Sequence, residues 1–215
     1  MHSKSINPES NLIEKQNKFI NNDEVETIDS SHDEEIIQAV REDKSKFVHV
    51  YQRYVKDVYR YSLSRVNNQQ EAEDITSHTF LTALKSFDQY RGDGCFGAYL
   101  IGISKRLIAK SYNQKEIGWL EEIGQAKESK FLAEEQVINK INLDQVVKEL
   151  AAIPKNRAEA IRLHYFAGLK IGEVAKVMKK SEMAVRMLLH RGINDLKKQL
   201  LKGNEIQGEK NETNN

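Results

Sequence analysis

An all-α fold, two small helical domains joined by a flexible linker, is what this sequence of 215 residues predicts, and three observations carry the prediction. Apolar residues recur at three- and four-residue spacing through most of the chain, the period of a helix with one buried face. The only prolines are Pro8 and Pro154 and glycine is sparse, which leaves too little turn chemistry for a strand-rich architecture. An apolar content of 39% supplies small cores rather than one large one, so two domains suit the length better than one.

Residues 1–32 are rich in Asn, Ser, Asp and Glu and read as a disordered acidic tail. From residue 33 the pattern changes. Ile36, Ile37 and Val40 start one helix, and Phe47, Val50, Tyr51, Tyr54, Val58 and Ser62 line a second, which Asn67-Asn68 breaks. A third runs from about Gln70 to Ser86 on Ala72, Ile75, Thr79, Phe80, Ala83, Leu84 and Phe87. Its first turn carries Glu71, Glu73 and Asp74, where the helix dipole favours acids. Arg91-Gly92-Asp93-Gly94 signals a loop, and a fourth helix from about Phe96 to Tyr112 buries Phe96, Tyr99, Leu100, Ile103 and Leu107 while showing Lys105, Arg106 and Lys110 on its other side.

Residues 114–142 have a weak apolar pattern and many Glu and Lys, so they read as a linker. As flexible coil such a segment spans on the order of 30 Å, enough to let the two halves sit on separate sites without one shared core. The second domain is expected over residues 143–202, followed by a disordered tail at 203–215. Leu143, Val146, Val147, Leu150 and Ile153 form its first helix, Pro154 ends it, Arg157 to Phe166 form a second, and Gly168 turns the chain.

The most informative segment is 170–196. Ile171, Val174, Ala175 and Met178 make one apolar stripe over two turns; Lys179, Lys180 and Ser181 make a tight turn, and Ser181 is a good N-cap for a longer helix. In that helix Val185, Leu188, Leu189, Ile193 and Leu196 face inward, leaving Glu182, Met183, Arg186, Met187, His190 and Arg191 outward. This is a helix-turn-helix. Its second helix suits the major groove, where residues near the N-terminus reach base edges. Charge agrees: residues 143–202 carry thirteen Lys and Arg against six Asp and Glu, whereas residues 1–35 carry three against nine. A basic domain with a capped helical pair points to nucleic acid.

The lone Cys95 excludes a disulfide framework and a cysteine-rich zinc site, and His2, His32, His49, His78, His164 and His190 show no metal-ligand spacing. No metal or cofactor is expected. With no phosphate loop and no nucleophile beside a plausible base, no enzyme is expected either. No apolar run approaches a membrane span and the N-terminus lacks an apolar signal core, so a cytoplasmic protein without membrane insertion is expected.

Taken in order, several short patterns make the chain recognisable. Phe47-x-x-x-Tyr51-x-x-Tyr54, Glu71-Ala72-Glu73-Asp74-Ile75 with Thr79-Phe80, Phe87-x-x-Tyr90-Arg91-Gly92 and Phe96-x-x-Tyr99-Leu100-x-x-Ile103 resemble region 2 of the extracytoplasmic-function (ECF) sigma factors within the sigma-70 family. Leu150-x-x-Ile153-Pro154, Tyr165-x-x-Gly168-Leu169, Glu173-Val174-Ala175 and Ser181-x-x-x-Val185-Arg186-x-x-Leu189-His190-Arg191 are similar to region 4.

The resemblance implies a subunit that binds core RNA polymerase, directs it to promoter DNA and helps to open the duplex. Region 2 would bind the polymerase clamp through Glu71, Glu73, Asp74, Ser77 and His78. It would read the -10 element through Arg91, Asp93, Gly94 and Cys95, a loop that captures an extruded base, and through Lys105, Arg106 and Lys110. Region 4 would read the -35 element through Lys179, Lys180, Ser181, Glu182, Met183, Arg186, Met187, His190 and Arg191. An anti-sigma protein is left open as a further partner. This chain departs from the common pattern at Ser77, Tyr99, Ser104, Lys105, Arg106, Lys110, Ala184, Met187 and Leu188, so its promoter sequence cannot be borrowed from relatives. The alternative is a helix-turn-helix regulator that binds DNA without joining polymerase; it predicts a dimer on paired half-sites, for which the sequence supplies no dimerisation heptad.

Overall fold

The structure, a computed structural model, describes residues 31–92, 95–117 and 145–212. Helices and turns account for all of them, with no strand among the described residues. Four helices build the first unit: α1 (Ser31–Glu42), α2 (Phe47–Val66), α3 (Gln69–Lys85) and α4 (Phe96–Ile117). The second unit contains the helical residues 145–149, α5 (Lys155–Ile161), which runs on into a widened π turn at Arg162–Phe166, α6 (Ile171–Met178) and α7 (Glu182–Glu212).

Local chemistry fixes the boundaries. Asn67 closes α2 in the left-handed conformation (φ 51°), its N–H donating to Leu63 O at 2.9 Å. Asn68 then caps α3 by accepting the Glu71 N–H at 2.9 Å. Pro154 lies at the start of α5, where its missing N–H costs nothing. Gly168 takes φ +65°, a conformation that disfavours any side chain, and lets Leu169 N–H reach back to Leu163 O.

In the first unit α2, α3 and α4 bury Val50, Tyr54, Val58, Ile75, Phe80, Phe96, Leu100 and Ile103. Phe96 is the hub of its aromatic cluster, with ring centroids of Tyr54, Phe87, Tyr90 and Tyr99 at 6.1, 5.7, 4.8 and 5.4 Å. The expected core stripes need two corrections: Leu84, read as an apolar contact of α3, is exposed, and Tyr99 and Leu107, read as buried on α4, are only partly so. The second unit buries Leu150, Ile153, Leu163, Leu169, Val174, Val185, Leu189 and Leu196. Gly192 lets α7 cross tightly over α5, since a Cβ there would lie 3.0 Å from Ile161 Cδ1 and 3.2 Å from Arg157 Cβ.

Two terminal expectations need correction. α4 continues past Tyr112 to Ile117, four residues into the segment read as linker, and α7 continues to Glu212, through most of the tail read as disordered from 203. Both follow from helix cooperativity: once nucleated, each added residue fixes one pair of dihedrals for one hydrogen bond. The expectations for residues 1–30 and for the linker from 118 to 142 lie outside the described residues.

The larger correction concerns the two units together. They share one buried cluster rather than keeping separate cores. A Cβ on Gly97 would sit 3.5 Å from Leu169 Cδ2, so α4's first turn meets the second unit almost backbone to side chain. Around this apolar contact lies a polar one. Glu159, its side chain 13% exposed, accepts from Tyr61 Oη at 3.2 Å and pairs with Arg65 at 3.2 Å and Lys105 at 2.8 Å. Beside it the buried Arg162 donates from Nε to Ser64 O at 3.0 Å. A carboxylate held by two cations and a phenol is satisfied well enough to be buried.

Candidate nucleic-acid interface

The helix-turn-helix is assembled as its sequence suggests. Glu173 caps α6 by accepting the Lys170 N–H at 2.8 Å, and Lys179 ends it in the left-handed conformation (φ 54°). Ser181 Oγ accepts the Ala184 N–H at 3.2 Å and so starts α7. Inward, Val185, Leu189 and Leu196 are buried, with Leu188 and Ile193 partly so. Outward, Lys179, Lys180, Ser181, Glu182, Met183, Arg186, Met187, His190 and Arg191 are all exposed, as the sequence reading orients them. Arg186 pairs with Glu182 at 3.4 Å within the helix, and His190 lies 3.3 Å from the Asn194 side-chain amide. Such exposed pairs are weak and give way readily to a phosphate.

The residues assigned to the -10 loop and α4 fall into three settings. Arg91 is exposed; Asp93 and Gly94 lie outside the described residues. Cys95 is half-buried under the second unit, where burial and then the neighbouring Glu173 carboxylate, against a hydrogen bond from Ala98, push its thiol up to about 12. On α4, Arg106 and Lys110 are exposed one turn apart, whereas Lys105 is engaged by Glu159 of the second unit. Nothing in the spacing of these residues marks that pairing. Nor does the sequence single out the open cavity of about 400 Å³ beside Arg91, lined by Arg41, Phe87, Asp88, Gln89 and Tyr90. Arg41 donates to Tyr90 O at 3.3 Å across it.

The five residues assigned to polymerase binding also divide. Asp74, Ser77 and His78 are exposed on one face of α3, and Leu81, 52% exposed, continues that face one turn on. Leu81 is assigned by sequence neither to the core stripe nor to this set, and its exposure is what joins it to the face. Glu71 and Glu73 are half-buried: Glu71 accepts from Ser111 Oγ of α4 at 2.6 Å, and Glu73 Oε1 is buried without a hydrogen-bond partner. Among the described residues no group of three or more His, Cys, Asp or Glu could hold a metal ion, and no helix is long and apolar enough to cross a membrane.

Residues 50–116, spanning α2 to α4, match the family model Sigma-70 region 2, and residues 143–196, through the helix-turn-helix, match Sigma-70, region 4. The chain belongs to the sigma-70 family, in its ECF group. Among curated relatives it is 30% identical over 154 residues to the ECF RNA polymerase sigma factor BldN of Streptomyces coelicolor, an alignment covering 70% of this chain and 58% of BldN. It is 21% identical over 158 residues to the ECF RNA polymerase sigma factor SigX of Bacillus subtilis, covering 70% of this chain and 81% of SigX. The fold is shared with CnrH, solved in complex with the cytosolic domain of CnrY, at a TM-score of 0.55 and 20% identity over 77% of this chain and 94% of CnrH. It is shared too with the sigma factor RpoE of Bartonella quintana, solved with the anti-sigma factor NepR, at 0.53 and 17% over 72% and 96%. The exposed helix-turn-helix face thus belongs to region 4, and the α3 face and the loop before α4 belong to region 2.

Proposed function

We propose that this chain is an alternative-type sigma factor that binds core RNA polymerase, directs it to specific promoters and promotes opening of the DNA. The observation that carries the reading is the coexistence of two sigma-70 regions, one presenting a basic, outward-facing recognition helix and the other an exposed face on α3. A regulator that only bound DNA would have no use for the second. Asp74, Ser77 and His78, joined by Leu81, are the polymerase-facing residues, with Glu71 and Glu73 supporting the helix from its half-buried side. Region 4 engages -35 duplex through Lys179 to Met183, Arg186, Met187, His190 and Arg191. Region 2 engages the -10 element through Arg91 to Gly94, Arg106 and Lys110, with Cys95 reached only once the second unit moves off it; the adjoining cavity offers Tyr90 for stacking and Arg41 for charge to an extruded base. Lys105 joins that set only when Glu159 releases it, so promoter binding includes parting of the two units.

The activity resides in the polymerase, and this chain acts in the cytoplasm as a dissociable, non-enzymatic specificity subunit. That two structures sharing its fold were solved with the cytosolic domain of CnrY and with the anti-sigma factor NepR supports an anti-sigma protein as a further partner. Gel filtration of the purified chain with core polymerase, followed by transcription from a promoter library, tests the reading. Co-elution and promoter-dependent transcripts are expected; no co-elution at micromolar concentration would remove it.

A further inference from the structure

Two exposed methionines, one of them the most exposed large apolar side chain among the described residues, sit where a charged or polar side chain would be expected. Met183 is 70% exposed and Met187 47%, one turn apart on the outer face of α7. Neither contributes to the core, which Val185, Leu189 and Leu196 already fill from the opposite face. Around them the surface is cationic: Lys176, Lys179, Lys180, Arg186 and Arg191 are exposed, and the Glu182 carboxylate beside them pairs with Arg186. The occupant of this face must therefore be anionic at its rims and apolar where the methionines enter.

We infer that Met183 and Met187 read the C5 methyl groups of thymine in the major groove, so that the duplex selected by this helix is specified in part by methyls rather than by hydrogen bonds. The inference rests on the proposed DNA binding by region 4 and names what that binding selects. The groove has the required chemistry: phosphates along both walls, and on its floor the thymine methyl as the apolar group that distinguishes one base from another. A thioether donates no hydrogen bond and accepts only weakly, so it cannot report the donor and acceptor pattern of a base edge. Its flexibility lets it follow a methyl on either strand. Four residues of helix advance about 6 Å and a base-pair step about 3.4 Å, so the pair covers methyls about two steps apart.

The test uses the full chain bound to core polymerase. A randomised duplex pool is selected for binding, and the -35-like site it yields is then made with deoxyuridine in place of thymidine, which removes the methyl and leaves every hydrogen-bonding group. Selection of thymines two steps apart is expected, with a loss of affinity on the order of fourfold per methyl for the unmodified protein. The Met183→Ala/Met187→Ala variant should bind both duplexes equally, and Met183→Leu/Met187→Leu should regain the preference for thymidine. Since both side chains are exposed, circular dichroism of the variants should match the parent. An unmodified protein indifferent to the deoxyuridine exchange would overturn the inference while leaving DNA binding intact. A pool that yields no duplex at all would overturn the proposed function with it.

Discussion

Glu159→Ala should loosen the contact between the two units, and the geometry sets the size of the effect. One carboxylate accepts from Tyr61 and pairs with Arg65 and Lys105, with Arg162 buried alongside and its pKa lowered by burial and then by Arg65. Removing the carboxylate leaves the Arg65 and Arg162 guanidinium groups, the Lys105 ammonium and the Tyr61 phenol facing one another without an anion. Breaking a fully buried pair costs about 3–5 kcal/mol because the remaining charge is uncompensated. Here the Arg65 and Lys105 side chains are 34% and 37% exposed, so water relieves part of that penalty. A loss of about 2–4 kcal/mol is expected, which for a chain of this size lowers the thermal midpoint by about 5–15 °C. Glu159→Gln keeps an acceptor but loses the charge, and should fall between. Calorimetry reports the stability, and small-angle scattering the separation, as an increase in radius of gyration. A variant with an unshifted midpoint and unchanged scattering would refute the idea that this carboxylate holds the halves together.

Three further outcomes are expected. Burial, partly offset by Arg60, Arg53 and Lys56, pushes Asp57 up to about 6, so the folded state disfavours its ionised form; the cost is absent below the ordinary value of 3.8, grows as pH rises and is complete above about 6. Asp57→Asn should accordingly stabilise the protein by about 1–2 kcal/mol at pH 7.5 and not at pH 3.5 in denaturant titrations, after allowance for partial solvent exposure; an equal gain at both pH values would contradict it. Cys95, with its thiol pushed up to about 12, should react with iodoacetamide at pH 7.5 on the order of a thousandfold more slowly than free cysteine, and faster in Glu159→Ala; a normal rate in the parent would show that the thiol is not shielded. Arg186→Ala and Arg191→Ala should each weaken promoter binding and lower the log–log salt slope by about one per lost phosphate contact, with co-elution with core polymerase retained; wild-type transcription from both would mean α7 faces DNA differently.

What the sequence determined by itself is everything that depends on neighbours a few positions away. The stop at Asn67, the cap at Asn68, the turn at Gly168 and the capped start of α7 at Ser181 are written in residues whose chemistry acts within one turn. The outward face of α7 was legible for the same reason: Val185, Leu189 and Leu196 define one side of a helix, so Met183, Arg186, Met187 and Arg191 must lie on the other. Only the tertiary structure decided which faces meet. Glu159 has no distinction in sequence, yet it joins Tyr61, Arg65 and Lys105, and Arg162 reaches Ser64 across 98 positions. Leu84 fits a core stripe by spacing but faces solvent, while Cys95, in a segment that reads as a loop, lies beneath α6's Glu173. Periodicity says that a residue turns inward or outward on its own helix. Which partner it finds depends on how the helices dock, through small residues such as Gly97 and Gly192 that allow close approach and through charges that must be paired once water is excluded.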